Sequence, residues 1–131
     1  MTTEGTARGE LDWLLATMVE KVDHVRQAVI LSADGLVLAT SPGITADEAD
    51  HLAALAAGMQ SLARGASQQL SGGDVRQTAI EMDQALLFIT AAGSGTCLAV
   101  AADVEADAGQ IAYEMTVLIK RVGKHMVANP R

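Results

Sequence analysis

Aromatic residues are almost missing from this sequence: only Trp13, Phe88 and Tyr113 occur, 2% of 131 positions. Pockets that grip an organic ligand or stack a nucleobase take their walls largely from aromatic side chains, so the shortage counts against both. Cations are also scarce. The 9 Lys and Arg face 16 Asp and Glu, a formal net charge of −7, and such a surface repels nucleic-acid phosphates and anionic membranes. A single cysteine, Cys97, excludes a disulfide within the chain. Its setting, Thr96-Cys97-Leu98-Ala99-Val100, suits a small buried hydrophobe better than a reactive thiol. The strongest apolar stretches, such as Ala85 to Ala92, are too short to span a bilayer, and Met1 to Thr6 lacks the basic-then-apolar order of an export signal. The expectation is a cytoplasmic protein that neither binds nucleic acid nor inserts directly into a membrane.

Half of the residues are hydrophobic, and the length suits one domain with a core built from Ala, Leu, Val, Ile and Met. Residues 1–9 show no apolar periodicity and read as a disordered leader, 10–128 as the domain and 129–131 as a tail. Leu11, Leu14, Leu15, Met18 and Val22 lie on one helical face. Two β-branched runs around Ser32-Ala33-Asp34-Gly35 then predict a hairpin, because Gly accepts the positive φ of the turn. Thr45-Ala46-Asp47-Glu48 has the spacing of a capping box and opens a helix expected over Ala46 to Leu70. Three strands follow, Val75 to Met82, Ala85 to Ala91 and Thr96 to Ala102, joined by hairpin-length turns into an antiparallel meander. The first is polar, as an edge strand should be; the other two are apolar on both faces and need helices on both sides. Ile111, Met115, Leu118, Val122 and Met126 mark a last helix.

The long helix carries two stripes. Leu52, Leu55, Ala56, Met59, Leu62, Ala63, Ala66 and Leu70 are expected to lie on the sheet. His51, Ala54, Gly58, Ser61 and Gly65 form a stripe of small side chains, and each Gly costs roughly 1 kcal/mol of helix propensity relative to Ala. Close approach of a second copy of the helix would offset that cost; an Ala-rich composition also produces such a stripe. A third face holds Asp47, Asp50, Ala57, Gln60 and Arg64, a candidate partner-binding surface or a plain solvated one.

No catalytic set emerges. His24, His51 and His125 lie on different elements with no metal-ligand spacing, and no glycine cluster has the form of a phosphate loop. Ser94, between two glycines, marks a hairpin tip, and Asp103, Glu105 and Asp107 are accounted for by the dipole of the last helix. Neither a metal nor a cofactor is implied.

The string Ala28 to Ala39, with Asp34-Gly35 at its turn, resembles the first hairpin of the roadblock/LC7 family. The stretch Gly73 to Thr78, followed by Leu86-Leu87-Phe88-Ile89 and Leu98-Ala99-Val100-Ala101, is similar to the family's later meander. The resemblance implies an α+β fold of order α-β-β-α-β-β-β-α with a profilin-like layout. Its five-stranded antiparallel sheet is flanked by helices on both faces, the long helix on one and the terminal helices on the other. It further implies pairing of two copies through strand three and the long helix, which places Ala54, Gly58, Ser61, Gly65, Val75 and Gln77 at a homodimer seam. Bacterial relatives act on small Ras-like GTPases without supplying catalytic side chains, so the expected role is a non-catalytic regulator or scaffold. A ligand-sensing module of profilin-, PAS- or GAF-like layout is the alternative, and the aromatic-poor core weighs against it.

Overall fold

The computed structural model describes residues 3–93 and 95–128, with side chains described for 9–93 and 95–123. The elements are α1 (Thr3–Lys21), β1 (Val25–Ser32), β2 (Val37–Thr40), α2 (Ala46–Leu70), β3 (Thr78–Glu81), β4 (Ala85–Ala91), β5 (Thr96–Asp103) and α3 (Ala108–Ala128). The strands form one five-stranded sheet in the order β2-β1-β5-β4-β3, and every neighbouring pair is antiparallel. The α+β order and the meander of β3, β4 and β5 are those expected from the residues.

Alternation along the strands divides the core in two. Ala28, Ile30, Phe88, Leu98 and Val100 face α1 and α3, where they pack with Leu11, Leu15, Met18, Ile111, Met115 and Val122. Val29, Leu31, Leu87, Ile89, Cys97 and Ala99 face the other way, onto Ala49, Leu52, Ala53 and Ala56 of α2. Registers such as Val29↔Ala99 and Ile89↔Ala99 bring same-face residues of neighbouring strands side by side.

The start of α2 is the expected capping box. The Glu48 backbone N–H donates to Thr45 Oγ1 at 3.1 Å, and the Thr45 N–H donates to Glu48 Oε1 at 2.9 Å. Its end is Ser71, in the left-handed conformation at φ 53°. At the first hairpin Gly35 has φ +89°, and a Cβ there would stand 3.6 Å from Ala57 Cβ and 3.7 Å from Ala54 Cα. Turn geometry and close packing on α2 therefore act on the same position.

Four expectations need correction. First, α1 begins at Thr3 rather than near Glu10, so helical backbone runs through most of the segment expected as a leader; Met1, Thr2 and the expected tail 129–131 lie outside the described residues. Second, β3 is shorter than Val75 to Met82, because the preceding backbone is held by side chains instead of a ladder: Thr90 Oγ1 donates to the Arg76 carbonyl at 2.9 Å. Val75 and Gln77 consequently lie in the connection before the strand.

Third, the stripe assigned to the sheet is too wide. Leu55, Leu62 and Leu70 are 62%, 70% and 77% exposed, while the residues α2 buries are Ala49, Leu52, Ala53, Ala56 and Gln60. A helix on a flat sheet covers only a narrow arc, and the last buried position is Gln60, so the C-terminal part of α2 runs past the core. Fourth, the acidic group before α3 is not one dipole effect. Asp107 does cap the helix, its Oδ1 accepting from the Gln110 N–H at 3.1 Å, but Asp103 pairs with Arg26 at 2.5 Å.

Ser41 is a polar group inside this core, 1% exposed. Its Oγ accepts from the Ala28 N–H at 2.9 Å, while its own N–H donates to the Ala28 carbonyl at 2.9 Å. Ser41→Ala would leave the Ala28 N–H buried without that acceptor, at a cost of about 1–3 kcal/mol. Urea denaturation should show the midpoint falling with an unchanged slope, and a midpoint equal to that of the parent would refute this role for the hydroxyl.

Candidate functional site: the outer face of the long helix

The residues that bind α2 to the sheet recur at the 3- and 4-residue steps of one helical face, so what they leave outward follows from about 100° of rotation per residue. Ala54, Gly58, Ser61 and Gly65 all point away from the sheet and are exposed. Leu55 and Leu62, two turns apart, flank this line on its outer side. The face therefore alternates large apolar knobs with positions that have no side chain. Among the described residues, and apart from the helix's own neighbouring backbone, no atom lies within 4 Å of where a Cβ would stand at Gly58 or at Gly65. Packing among the described residues gives no reason for either glycine.

The five residues expected on a third face do not share one. Asp47, Asp50 and Arg64 are exposed, Ala57 is half-buried beneath Gly35, and Gln60 is 3% exposed. Gln60 turns inward, where its Oε1 accepts from Thr78 Oγ1 at 2.7 Å. That bond ties α2 to the edge strand β3. Periodicity alone could not assign Gln60 to the core, since its polar group is tolerated there only through a hydroxyl on a distant strand.

Gln60 and Arg64 also wall two adjoining open grooves, of about 400 Å³ toward Asp74 and Val75 and about 250 Å³ toward Cys97. Cys97 is 4% exposed. Burial pushes its thiol above the usual cysteine range, against smaller opposing effects of the Arg64 charge and a hydrogen bond to Gln60. This is the environment of an inert thiol. Elsewhere, the structure brings His24 together with Asp103 and Glu105, potential ligand atoms lying within 4.8 Å of one another. No spacing in the sequence signals this group, because its members come from opposite ends of the chain.

Residues 11–102 match the family model described as the Roadblock/LC7 domain. The chain belongs to the roadblock/LC7 family. The matched span runs from within α1 to the penultimate residue of β5, so it includes all but the last residue of the sheet and the whole of α2, and leaves α3 outside. Among solved structures, one Roadblock/LC7 domain from Streptomyces avermitilis is 50% identical, covering 88% of this chain and 97% of that one with a TM-score of 0.85. A second from Streptomyces avermitilis is 41% identical, with 86% and 97% covered and a TM-score of 0.71. MglB in a tetrameric arrangement shares the fold at 17% identity, with 92% and 90% covered and a TM-score of 0.82. No curated protein sequence matches. Among the described residues, no helix of this roadblock domain is long and apolar enough to cross a membrane.

The setting of Cys97 gives a direct check on the packing beneath α2. The thiolate is the reactive form, and its pKa is raised by burial. Alkylation by iodoacetamide at pH 8 should therefore be at least about tenfold slower in the native protein than in urea, and should accelerate as pH rises. Equal rates in both states would show that α2 does not seal this position.

Proposed function

We propose that this roadblock domain is a non-catalytic, cytoplasmic homodimer that binds a small Ras-like GTPase and biases its nucleotide cycle or its placement in the cell. The observation that carries the self-association is the outer face of α2: two helical glycines, Gly58 and Gly65, in open space alongside exposed Leu55 and Leu62. Each glycine costs about 1 kcal/mol of helix propensity that no contact among the described residues offsets. A second copy of α2 does so. Its leucines seat over Gly58 and Gly65, and the absence of side chains there lets the two backbones approach closely.

The edge of the sheet supports the same arrangement. β3 is the terminal strand beside β4, so its outer N–H and C=O groups are free to continue the sheet with another β3. It is fastened to α2 by the Gln60–Thr78 bond, which sets the two surfaces side by side. Val75 and Gln77, in the connection leading into β3, then sit at the margin of the seam rather than in its ladder. MglB, a protein of the same fold, is found in a tetrameric arrangement.

The GTPase reading rests on membership of the family, whose bacterial relatives act on Ras-like GTPases. Asp47, Asp50 and Arg64 stay exposed beside the seam, so two copies present a broad polar platform with shallow apolar relief. A partner whose switch loops order on that platform in one nucleotide state has its equilibrium shifted by the difference in contact energy. Such a platform acts on the GTPase's own catalytic groups and supplies none.

Two measurements test this reading. Light scattering should give twice the chain mass for the parent. Gly58→Leu should give a folded monomer, because open space surrounds the position within one chain whereas overpacking a helix seam costs roughly 1–3 kcal/mol per site. A dimer unchanged by Gly58→Leu would place the seam elsewhere. In pull-downs with nucleotide-loaded small GTPases, Arg64→Glu or the pair Asp47→Lys and Asp50→Lys should weaken capture at least about tenfold, or about 1.4 kcal/mol. Dimer mass should hold and stability should move by no more than about 0.5 kcal/mol. Capture that is independent of nucleotide and undiminished in both variants would defeat the assignment of this surface.

A further inference from the structure

We propose that His24, Asp103 and Glu105 form a binding site for a transition-metal dication of the Zn²⁺ type, at the end of the sheet where β1 begins and β5 ends. One imidazole nitrogen and two carboxylate oxygens can all be placed within 4.8 Å of one another. Around a tetrahedral Zn²⁺, ligand atoms at about 2.0–2.2 Å from the ion stand about 3.3–3.6 Å apart, so rotations that draw the three side chains together by up to about 1.5 Å close the set. His24 and Glu105 are exposed and Asp103 is half-buried, which leaves the position open to ions from solvent.

Asp103 is the ligand of the three that its neighbours hold in place. The Asp103 N–H donates to the His24 carbonyl at 2.8 Å, so the turn before β1 and the end of β5 are already joined through their backbones. Arg26 Nε donates to Asp103 Oδ1 at 2.5 Å, and a terminal nitrogen of the same guanidinium donates to the Gln84 carbonyl at 2.8 Å. Metal-ligating carboxylates are commonly oriented by such outer hydrogen bonds, and Arg26 holds Asp103 through its Oδ1. The imidazole selects the class of ion. Ca²⁺ and Mg²⁺ take oxygen ligands, whereas one nitrogen with two carboxylate oxygens suits Zn²⁺ and its neighbours. Three protein ligands leave at least one position of a tetrahedral ion for water or for a donor from a partner. The site lies between strand ends, away from the outer face of α2, and does not depend on the dimer or GTPase reading.

The probe is ZnCl₂ added to full-length protein first treated with chelator. Calorimetry should give one Zn²⁺ per chain, and the His24 imidazole resonances should shift on titration while equal Ca²⁺ leaves them in place. His24→Ala and Glu105→Gln should each weaken binding at least tenfold, with His51→Ala, on the exposed face of α2, unchanged. Circular dichroism checks that the variants fold, and the His24 resonances of the parent give a reading that needs no variant. Absence of binding, binding with the His24 resonances unmoved, equal response to Ca²⁺, or undiminished affinity in both ligand variants would each overturn the site.

Discussion

Apolar side chains project from both faces of β1, β4 and β5, and the rest of the structure answers that demand. A strand with one wet face can be served by a single helix layer; these cannot. Leu31, Ile89 and Ala99 require α2 on one side, Ile30, Leu98 and Val100 require α1 and α3 on the other, and each of these side chains is fully buried. The two clusters share the same strands. A change of register by one residue would exchange them, which pins the ladder firmly.

The helices meet that demand unequally. Two share one face of the sheet, while α2 serves the other alone with mostly small side chains, Ala49, Ala53 and Ala56 around Leu52. Small contacts bring the helix close, and the Gly35 turn packs directly against it. The price is that α2 has more length and more leucine than the sheet can cover. Leu55, Leu62 and Leu70 face outward, and this surplus is the surface on which self-association is proposed. Function in this fold thus begins where the core runs out of area.

Much of the architecture was legible in the residues. The Thr45–Glu48 capping box, the Asp34-Gly35 turn and the Ala46 to Leu70 helix were readable because each rests on contacts between near neighbours in sequence. The small-residue stripe was readable as a stripe for the same reason. The roles of its neighbours were not. Leu55 and Leu62 follow an apolar period that fits a sheet-facing helix, and only the position of the sheet beneath α2 shows that they miss it. Gln60 failed in the opposite direction, because its burial depends on Thr78, a partner that local pattern cannot supply. Val75 and Gln77 read as strand from composition, yet the bond from Thr90 to Arg76 takes that backbone out of the ladder.

Sequence alone determined the order of elements, the five strands, the position of the turns and a composition poor in aromatic walls. These depend on periodicity, propensity and turn chemistry, which act over a few residues. Tertiary structure decided which stripe of α2 is buried, that Asp103 pairs with Arg26, and that His24 meets Asp103 and Glu105. The last two depend on the antiparallel pairing of β1 with β5, which joins residues far apart in the chain. No local rule carries that information, because the pairing is set by the simultaneous burial of both faces of the sheet.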